Sequence, residues 1–401
     1  MIFEQAQRNH PAMNWKELFS KHLTEIESNF DRLTDNFKFR LGYTDPIQIL
    51  PYRTYGTLNR LYLKGRVLED EKIMGSQDKD TILSNLLNMY KRFESDEVAG
   101  AKLKAVFGDE EHHAETDKEG YFHFDLFPAK PVVRENLWHK VDLHLTGIPK
   151  PYNPGFSTQA EVMIPPIDAE YGVISDIDDT IVRTSATDML AMARTVFLNN
   201  AKTRLPFAGV SEFYKSLQLG RNGKRNNPFF YVSSSPWNMY DLLRDFLDLN
   251  EIPAGPLLLR DFGLTNNAIM KGGGGHMGHK FAQIKQILDT YPQLNFVLVG
   301  DSGQEDAKIY REVALQFPAR VLAIYIRDVQ LAEREKIAMD ISKELLTGHK
   351  LEMVIVDNTT EAADHAAKTG LIYREALPAI EQDKAEDKGQ APGKEEAKVV
   401  E

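Results

Sequence analysis

Three carboxylates fall within four positions of the sequence, at Asp176, Asp178 and Asp179, directly after the short run YGVIS. Like charges this close repel one another, and one of them tends to become protonated unless a positive group lies between them. A divalent cation removes that conflict, because magnesium accepts carboxylate oxygens together with the oxygens of a substrate phosphate. The cluster therefore predicts a metal-assisted centre for phosphoryl transfer.

An EF-hand calcium loop is the main alternative for the same carboxylates. That loop requires glycine at its sixth position and glutamate at its twelfth. The sequence has Ile181 and Thr187 at those positions, which disfavours the calcium loop. Asp179 and Thr180 have a simpler alternative, in which they only order the loop after the strand.

Further polar side chains follow later apolar runs. Ser233 comes after FFYV, and Asp301 comes after FVLVG with Asp306 five positions later. Lys280 ends the segment GGGGHMGHK, where a helix is predicted to begin. Ligands of parallel sheets bind beyond the carboxyl ends of the strands. We therefore expect Ser233, Lys280 and Asp301 to converge with Asp176 at one edge of a sheet.

From about residue 170, short apolar segments alternate with segments of helical periodicity. Such a pattern is typical of a parallel sheet with both faces covered by helices. The predicted strands are 173–175, 229–233, 257–259, 295–300, 320–326 and 352–356, and the predicted helices are 187–199, 238–248, 280–290, 305–316 and 331–347.

The rest of the chain divides into three parts. Residues 1–45 contain an amphipathic helix over 13–40, and residues 374–401 are so rich in charge that a disordered tail is predicted. Residues 46–168 alternate in the manner of strands, which favours a β-sandwich-like domain. Its predicted strands are 61–68, 101–108, 121–127, 140–145 and 160–165, with a helical stretch over 80–93. His112 and His113 are expected to lie in a solvated polar loop.

Composition excludes several classes of protein. The chain of 401 residues carries a formal net charge of -11, which provides no basic field for nucleic acid. Since it has no cysteine, disulfides, thiolate chemistry and cysteine-ligated zinc are excluded. No apolar run of about 18–20 residues is present, and the first residues do not resemble a signal peptide. A cytoplasmic protein without a transmembrane segment is expected.

The order DxDxT, a serine after the second strand, a lysine and then GDxxxxD resembles the haloacid dehalogenase superfamily of phosphotransferases. DIDDT with YVSSSPWN, GHK and VGDSGQED is similar to the actin-patch type of phosphatidate phosphatase, in its bacterial branch. The motifs cover about 170–330, and PYRTYGTLNRLYLKGRV extends a looser similarity back to about residue 45. The implied fold is α/β: a doubly wound, haloacid dehalogenase-like phosphatase domain over 169–373, preceded by the β-sandwich-like domain and the N-terminal amphipathic helix.

The resemblance implies roles for individual residues. Asp176 becomes the nucleophile that forms an aspartyl-phosphate, and Asp178 the group that moves the proton. Mg²⁺ is expected at Asp176, the backbone carbonyl of Asp178 and Asp301, with Asp306 bound behind them or through water. The phosphoryl oxygens are expected to contact Ser233 and Lys280.

The implied reaction is hydrolysis of phosphatidate to diacylglycerol, with a phospholipid substrate reached by transient peripheral contact with a membrane surface. Two other functions remain open from the sequence. One is a phosphatase of the same fold that acts on a soluble phosphate ester or a phosphopeptide. The other is a non-catalytic lipid-binding or scaffold protein.

Three local alternatives also remain. Asp306 could act only on the dipole of the helix that it begins. Ser235 is interpreted most simply as a helix N-cap, with Pro236 at the first helical position. The glycines of the 272–278 run satisfy GxGxxG, but a dinucleotide site requires them directly after a strand, and a dozen residues intervene.

Overall fold

The computed structural model describes residues 47–69, 97–133, 135–148, 156–177, 209–260, 275–302, 305–328 and 332–390. They all belong to one compact unit of the chain. Several predictions lie outside the described residues: the helices over 13–40, 80–93 and 187–199, the run of glycines before residue 275, and the residues Asp178, Asp179 and Thr180.

Within these ranges, the first part of the chain forms a mixed eight-stranded sheet, the N-terminal sheet. Its strands run in the order β1-β3-β2-β8-β7-β4-β5, and β6 pairs with β3. The pairings are antiparallel except for that of β2 with β8. The strands are β1 (Ile47–Pro51), β2 (Thr54–Thr57), β3 (Arg60–Glu69), β4 (Lys102–Phe107), β5 (Glu110–Glu115), β6 (Tyr121–Leu126), β7 (Trp138–Gly147) and β8 (Ser157–Met163).

One hydrophobic core lies inside this sheet. Leu63 of β3 and Phe122 of β6 share it with Leu103 of β4 and Val141 of β7, all buried. Since alternate residues of a strand face opposite sides, these positions turn one face of their strands towards the same core. The β-rich character predicted for 46–168 is confirmed for the described residues of that range.

The prediction of a polar loop at His112 and His113 is wrong. Both residues lie in β5, where His112 is paired with Ala105 and His113 with Lys104 of β4. The run EEHHAE is polar because β5 is the last strand in the sheet order, and charged side chains are common on such edge strands.

Six described strands form a second sheet, in which every neighbouring pair is parallel. Their order is β11-β10-β9-β12-β13-β14. The strands are β9 (Gly172–Asp176), β10 (Phe229–Pro236), β11 (Leu257–Arg260), β12 (Phe296–Asp301), β13 (Val321–Arg327) and β14 (Met353–Val356). All six strands predicted after residue 170 are therefore confirmed.

Helices cover both faces of the parallel sheet. Alternate strand residues divide between two hydrophobic clusters: Tyr231 packs with residues of α1, α2 and α6, while Phe230 packs with residues of α3, α4 and α5. The helices are α1 (Val210–Leu219), α2 (Tyr240–Leu249), α3 (Gly275–Thr290), α4 (Asp306–Gln316), α5 (Ala332–His349), α6 (Thr359–Thr369) and α7 (Leu377–Gln390). Among the described helices, none is long and apolar enough to cross a membrane.

Helix α7 corrects the prediction that the chain is disordered from residue 374. Ile380 is fully buried in the cluster beneath α1 and α6. The Lys384 ammonium donates to Asn358 Oδ1 at 2.7 Å, and the Glu212 amide donates to Asp383 Oδ2 at 3.2 Å. The segment is polar overall, but a helix needs only a narrow apolar stripe to pack on its neighbours.

Candidate active site

The sheet register brings the polar strand ends together. Asp176 is the last residue of β9, and β9 lies between β10 and β12. On one side of Asp176, β12 ends at Asp301. On the other side, Asp176 is paired with Val232 of β10, and Ser233 is the next residue. The predicted convergence at one sheet edge follows from this parallel register, because parallel strands end on the same side.

Three carboxylates form a buried cluster at that edge. One ligand atom from each of Asp176, Asp301 and Asp306 lies within 4.8 Å of the others, and all three residues are fully buried. Because so many like charges cannot be buried without compensation, the cluster requires positive charge nearby.

Lys280 supplies one positive charge. This residue of α3 is 2% exposed, and its Nζ lies 3.0 Å from Asp176 Oδ1 and 3.0 Å from Asp306 Oδ1. Taken alone, a lysine is usually at the surface. Its burial between two carboxylates places it in the cluster, where one ammonium lies among three carboxylates.

Asp306 is both the first residue of α4 and a member of the cluster. Its Oδ2 accepts the backbone N–H of Asp301 at 3.2 Å, while its Oδ1 accepts Lys280 Nζ. A role confined to the helix dipole is therefore insufficient. Gly300 makes the close approach possible, since a Cβ there would lie 2.4 Å from Asp306 Oδ2.

The strand that carries Ser233 is bulged at its end. Val232 pairs with Leu258 and Pro236 with Arg260, so the three residues Ser233–Ser235 oppose one residue of β11. Ser233 is fully buried, and its Oγ accepts the N–H of Ser235 at 2.9 Å. Bulges of this kind re-aim side chains beside active sites.

The interpretation of Ser235 as a helix N-cap is wrong. Strand β10 continues through Pro236, a 3-10 turn covers Trp237–Met239, and α2 begins at Tyr240 with Met239 as its N-cap. Ser followed by Pro is a strong signal for the start of a helix. The sequence therefore predicts a helix start at the place where the structure has a bulged strand.

Two residues that the sequence analysis missed support the nucleophile candidate. Ser175 Oγ donates to the backbone carbonyl of Asp176 at 2.8 Å, so the hydroxyl of Tyr214, 2.8 Å away, donates to Ser175 Oγ. Burial raises the pKa of Tyr214, which keeps its phenol protonated as a donor. A serine inside an apolar strand is a signal that sequence analysis could have used, whereas Tyr214 has none.

A small, largely apolar cavity lies on the α1 and α6 face of the sheet. It is partly open to solvent and has a volume of about 30 Å³. Val299 and Gly300, directly before Asp301, form part of its wall. Among its other lining residues are Val210, Phe213, Val356, Ala362, Arg327 and Asn358. Its walls therefore offer mainly apolar surface.

Comparisons with known proteins match the part of the chain that contains the carboxylate cluster. Residues 171–328 match the model of the family described as phosphatidate phosphatase APP1, catalytic domain. Phosphatidate phosphatase APP1 of Saccharomyces cerevisiae is 40% identical over 158 residues, which are 39% of this chain and 25% of the yeast protein. An uncharacterized protein of Schizosaccharomyces pombe is 31% identical over 160 residues, again 39% of this chain and 25% of that protein.

The match spans about a quarter of the length of these relatives. Among solved structures, a carbohydrate acetylesterase from Xanthomonas citri aligns with 77% of this chain and 75% of its own, at 12% identity and a TM-score of 0.26. That score is too low to carry an argument. Residues 171–328, which contain Asp176, Ser233, Lys280, Asp301 and Asp306, are thus similar to the catalytic domain of a phosphatidate phosphatase.

Proposed function

We propose that the chain is a magnesium-dependent phosphatase of the haloacid dehalogenase type, which hydrolyses phosphatidate to diacylglycerol through an aspartyl-phosphate. The observation that carries this proposal is the buried cluster of Asp176, Asp301, Asp306 and Lys280. It lies within the region similar to a phosphatidate phosphatase catalytic domain. Because phosphatidate is a membrane lipid, the proposal includes transient contact with a membrane surface.

The donor set fits magnesium. The cluster offers buried carboxylate oxygens and an excess of negative charge, and both match a hard divalent cation. Asp176, Asp301 and the backbone carbonyl of Asp178 would hold the ion, with Asp306 behind them or bound through water. When bound, the ion offsets the negative charge of the carboxylates and of the phosphate.

The first chemical step uses Asp176 as the nucleophile. One of its carboxylate oxygens bonds to phosphorus while the bond from phosphorus to the glycerol oxygen breaks. Asp178 gives its proton to that leaving oxygen, which yields the alcohol. Covalent catalysis replaces one difficult hydrolysis with two easier transfers.

The second step reverses the role of Asp178. It takes a proton from a water molecule whose oxygen bonds to phosphorus, and the bond from phosphorus to Asp176 breaks. Inorganic phosphate leaves, and both carboxyl groups return to their starting states. Asp178 therefore needs no other proton donor over a full cycle.

Ser233 and Lys280 would stabilise the phosphoryl group during both steps. Their hydroxyl and ammonium groups donate hydrogen bonds to oxygens whose charge is redistributed as bonds break, which is the dominant contribution in phosphoryl transfer. Lys280 also holds Asp176 and Asp306 in place before substrate arrives, since it lies 3.0 Å from an oxygen of each.

The apolar cavity supports a lipid substrate over a soluble ester. Val299 and Gly300 of its wall directly precede Asp301 in the chain, so an apolar part of the substrate could contact this wall while the phosphate binds at the carboxylates. A sugar phosphate or phosphopeptide would gain little from such walls, because their favourable contribution comes from burying apolar surface.

Phosphate release with different substrates tests the proposal. We expect wild-type protein with Mg²⁺ to hydrolyse phosphatidate in detergent micelles faster than sugar phosphates or phosphopeptides. Hydrolysis of the soluble substrates alone would contradict the lipid assignment and support the second phosphatase function. The non-catalytic scaffold function predicts that neither chelation of Mg²⁺ nor the substitution Asp176→Asn changes the activity or the cellular role of the protein. That result would favour the scaffold function.

A further inference from the structure

The chain that follows Ser233 packs against the N-terminal sheet. The Trp237 ring stacks on Tyr52, with 4.9 Å between centroids and 9° between planes. Tyr52 also contacts Tyr240, at 4.1 Å between centroids. The Lys64 ammonium of β3 lies 3.9 Å from the centroid of the Trp237 indole ring, a cation–π distance. Tyr52, between β1 and β2, and Lys64 of β3 therefore hold the first residues after strand β10.

Arg53, next to Tyr52, holds helix α2 at two points. Its backbone N–H donates to the Tyr240 hydroxyl at 2.5 Å. Its guanidinium donates to both carboxylate oxygens of Asp248, at 2.8 and 2.9 Å. Paired bonds of this kind fix orientation as well as distance. Both ends of α2 are thus attached to Arg53, in the connection between β1 and β2.

The bulge explains why this attachment matters for Ser233. Val232 is the last residue of β10 paired with both neighbouring strands, and the next pairing is that of Pro236 with Arg260. Ladder pairings therefore flank Ser233–Ser235 on both sides, at Val232 and at Pro236. Trp237, which stacks on Tyr52, directly follows Pro236 and contributes to fixing that end of the bulge.

We infer that the N-terminal part of the molecule helps to position a residue of the catalytic centre. Tyr52 acts as a positioning residue, because its contact with Trp237 helps to fix the position of Ser233. The inference rests on the proposed function, because it assumes that Ser233 binds the phosphoryl group. A displacement of about 1 Å at such a group costs up to about a hundredfold in rate.

Tyr55 provides a matched control. It lies three residues from Tyr52, is also buried, and contacts the parallel-sheet part of the molecule at another place. Its ring packs on Phe230 at 5.6 Å between centroids, and its hydroxyl accepts Gln286 Nε2 at 2.9 Å. Tyr55→Leu therefore loses an aromatic contact between the same two sheets while leaving the Trp237 stack intact.

The test measures kcat and KM with p-nitrophenyl phosphate, together with Tm, for wild type, Tyr52→Leu and Tyr55→Leu. At a similar loss of Tm, we expect Tyr52→Leu to lower kcat/KM about tenfold to a hundredfold and Tyr55→Leu to lower it less than about threefold. Tyr52→Phe, which keeps the ring stack, should retain wild-type kinetics. Equal losses in the two leucine variants would overturn the inference.

A double-mutant cycle separates positioning from general destabilisation. If Tyr52 acts through Ser233, Tyr52→Leu should cost almost nothing more in a Ser233→Ala background. Additive losses would overturn the inference. If Tyr52→Leu does not fold, Trp237→Leu removes the same stack from its other side and takes its place in the cycle.

Failure of the proposed function would be recognisable. If wild type hydrolyses no phosphate ester, calorimetric binding of inorganic phosphate with Mg²⁺ replaces kinetics as the measurement. Weaker binding by Tyr52→Leu, but not when Ser233 is already alanine, would support the positioning role without catalysis. Unchanged affinity, or no phosphate binding by wild type, would contradict it.

Discussion

The ammonium of Lys280 bridges Asp176 and Asp306, 3.0 Å from a carboxylate oxygen of each. All three groups are buried, so the bridge joins the end of β9 to the start of α4 through a side chain of α3. The positive charge of Lys280 offsets part of the repulsion between the buried carboxylates. Within this group of four side chains, carboxylates still outnumber the ammonium, and such a set of oxygen ligands suits a cation.

Lys280→Met should destabilise the protein strongly. Removing one partner of a buried ion pair leaves uncompensated charge and costs about 3–5 kcal/mol. Urea unfolding in EDTA measures the loss. Lys285→Met is the matched control, because its pair with Asp289 on the same helix is largely exposed, and such pairs contribute about 1 kcal/mol or less. Similar losses in the two variants would contradict the account of the cluster.

Magnesium should stabilise the folded protein through Asp301. A ligand that binds only the native state at a hundred times its Kd adds about 2.7 kcal/mol, which raises Tm. Thermal unfolding with Mg²⁺ and with EDTA measures this shift for wild type, Asp301→Asn and the exposed control Asp289→Asn. We expect the shift to vanish in Asp301→Asn only. Its persistence in that variant would place the ion elsewhere.

Gly300→Ala should lower activity by displacing Asp306. The added Cβ would lie 2.4 Å from Asp306 Oδ2 and 2.9 Å from Asp306 Cβ, so the carboxylate must move. We expect kcat to fall at least about tenfold, a change of about 1.4 kcal/mol in activation free energy. Gly278→Ala serves as the control: its Cβ meets nothing within 4 Å, and alanine favours a helix by about 1 kcal/mol. Full activity in Gly300→Ala would show that the position of Asp306 is unimportant.

Narrowing the apolar cavity should affect lipid and soluble substrates differently. Ala362→Leu adds volume to the cavity wall. We expect kcat/KM for phosphatidate to fall about tenfold, which is the size of effect that a small change in an apolar pocket produces. For p-nitrophenyl phosphate we expect little change in kcat/KM. An equal effect on both substrates would mean that the cavity does not bind the apolar part of the lipid.

Much of the site could be predicted from the sequence because its residues stand at strand ends. Asp176 and Asp301 each follow a buried apolar run, and a parallel sheet brings such ends to one edge. Lys280 could be predicted only together with the motifs around it, since a single lysine in a sequence does not indicate burial.

Other features were hidden for physical reasons. The bulge at Ser233–Ser235 depends on pairing with β11, which no local signal reports. The stack of Tyr52 on Trp237 joins residues far apart in the chain. Helix α7 looked like a disordered tail because composition averages out a buried position, Ile380, that anchors it.

Release of phosphate from phosphatidate by wild type and Asp176→Asn, with Mg²⁺ present, tests the central claim most directly. Asparagine keeps the shape of the side chain but removes the nucleophilic carboxylate, so we expect the rate to fall by at least about a thousandfold. The folded state of both proteins is checked by Tm. Equal rates would contradict the assignment of Asp176 as the nucleophile.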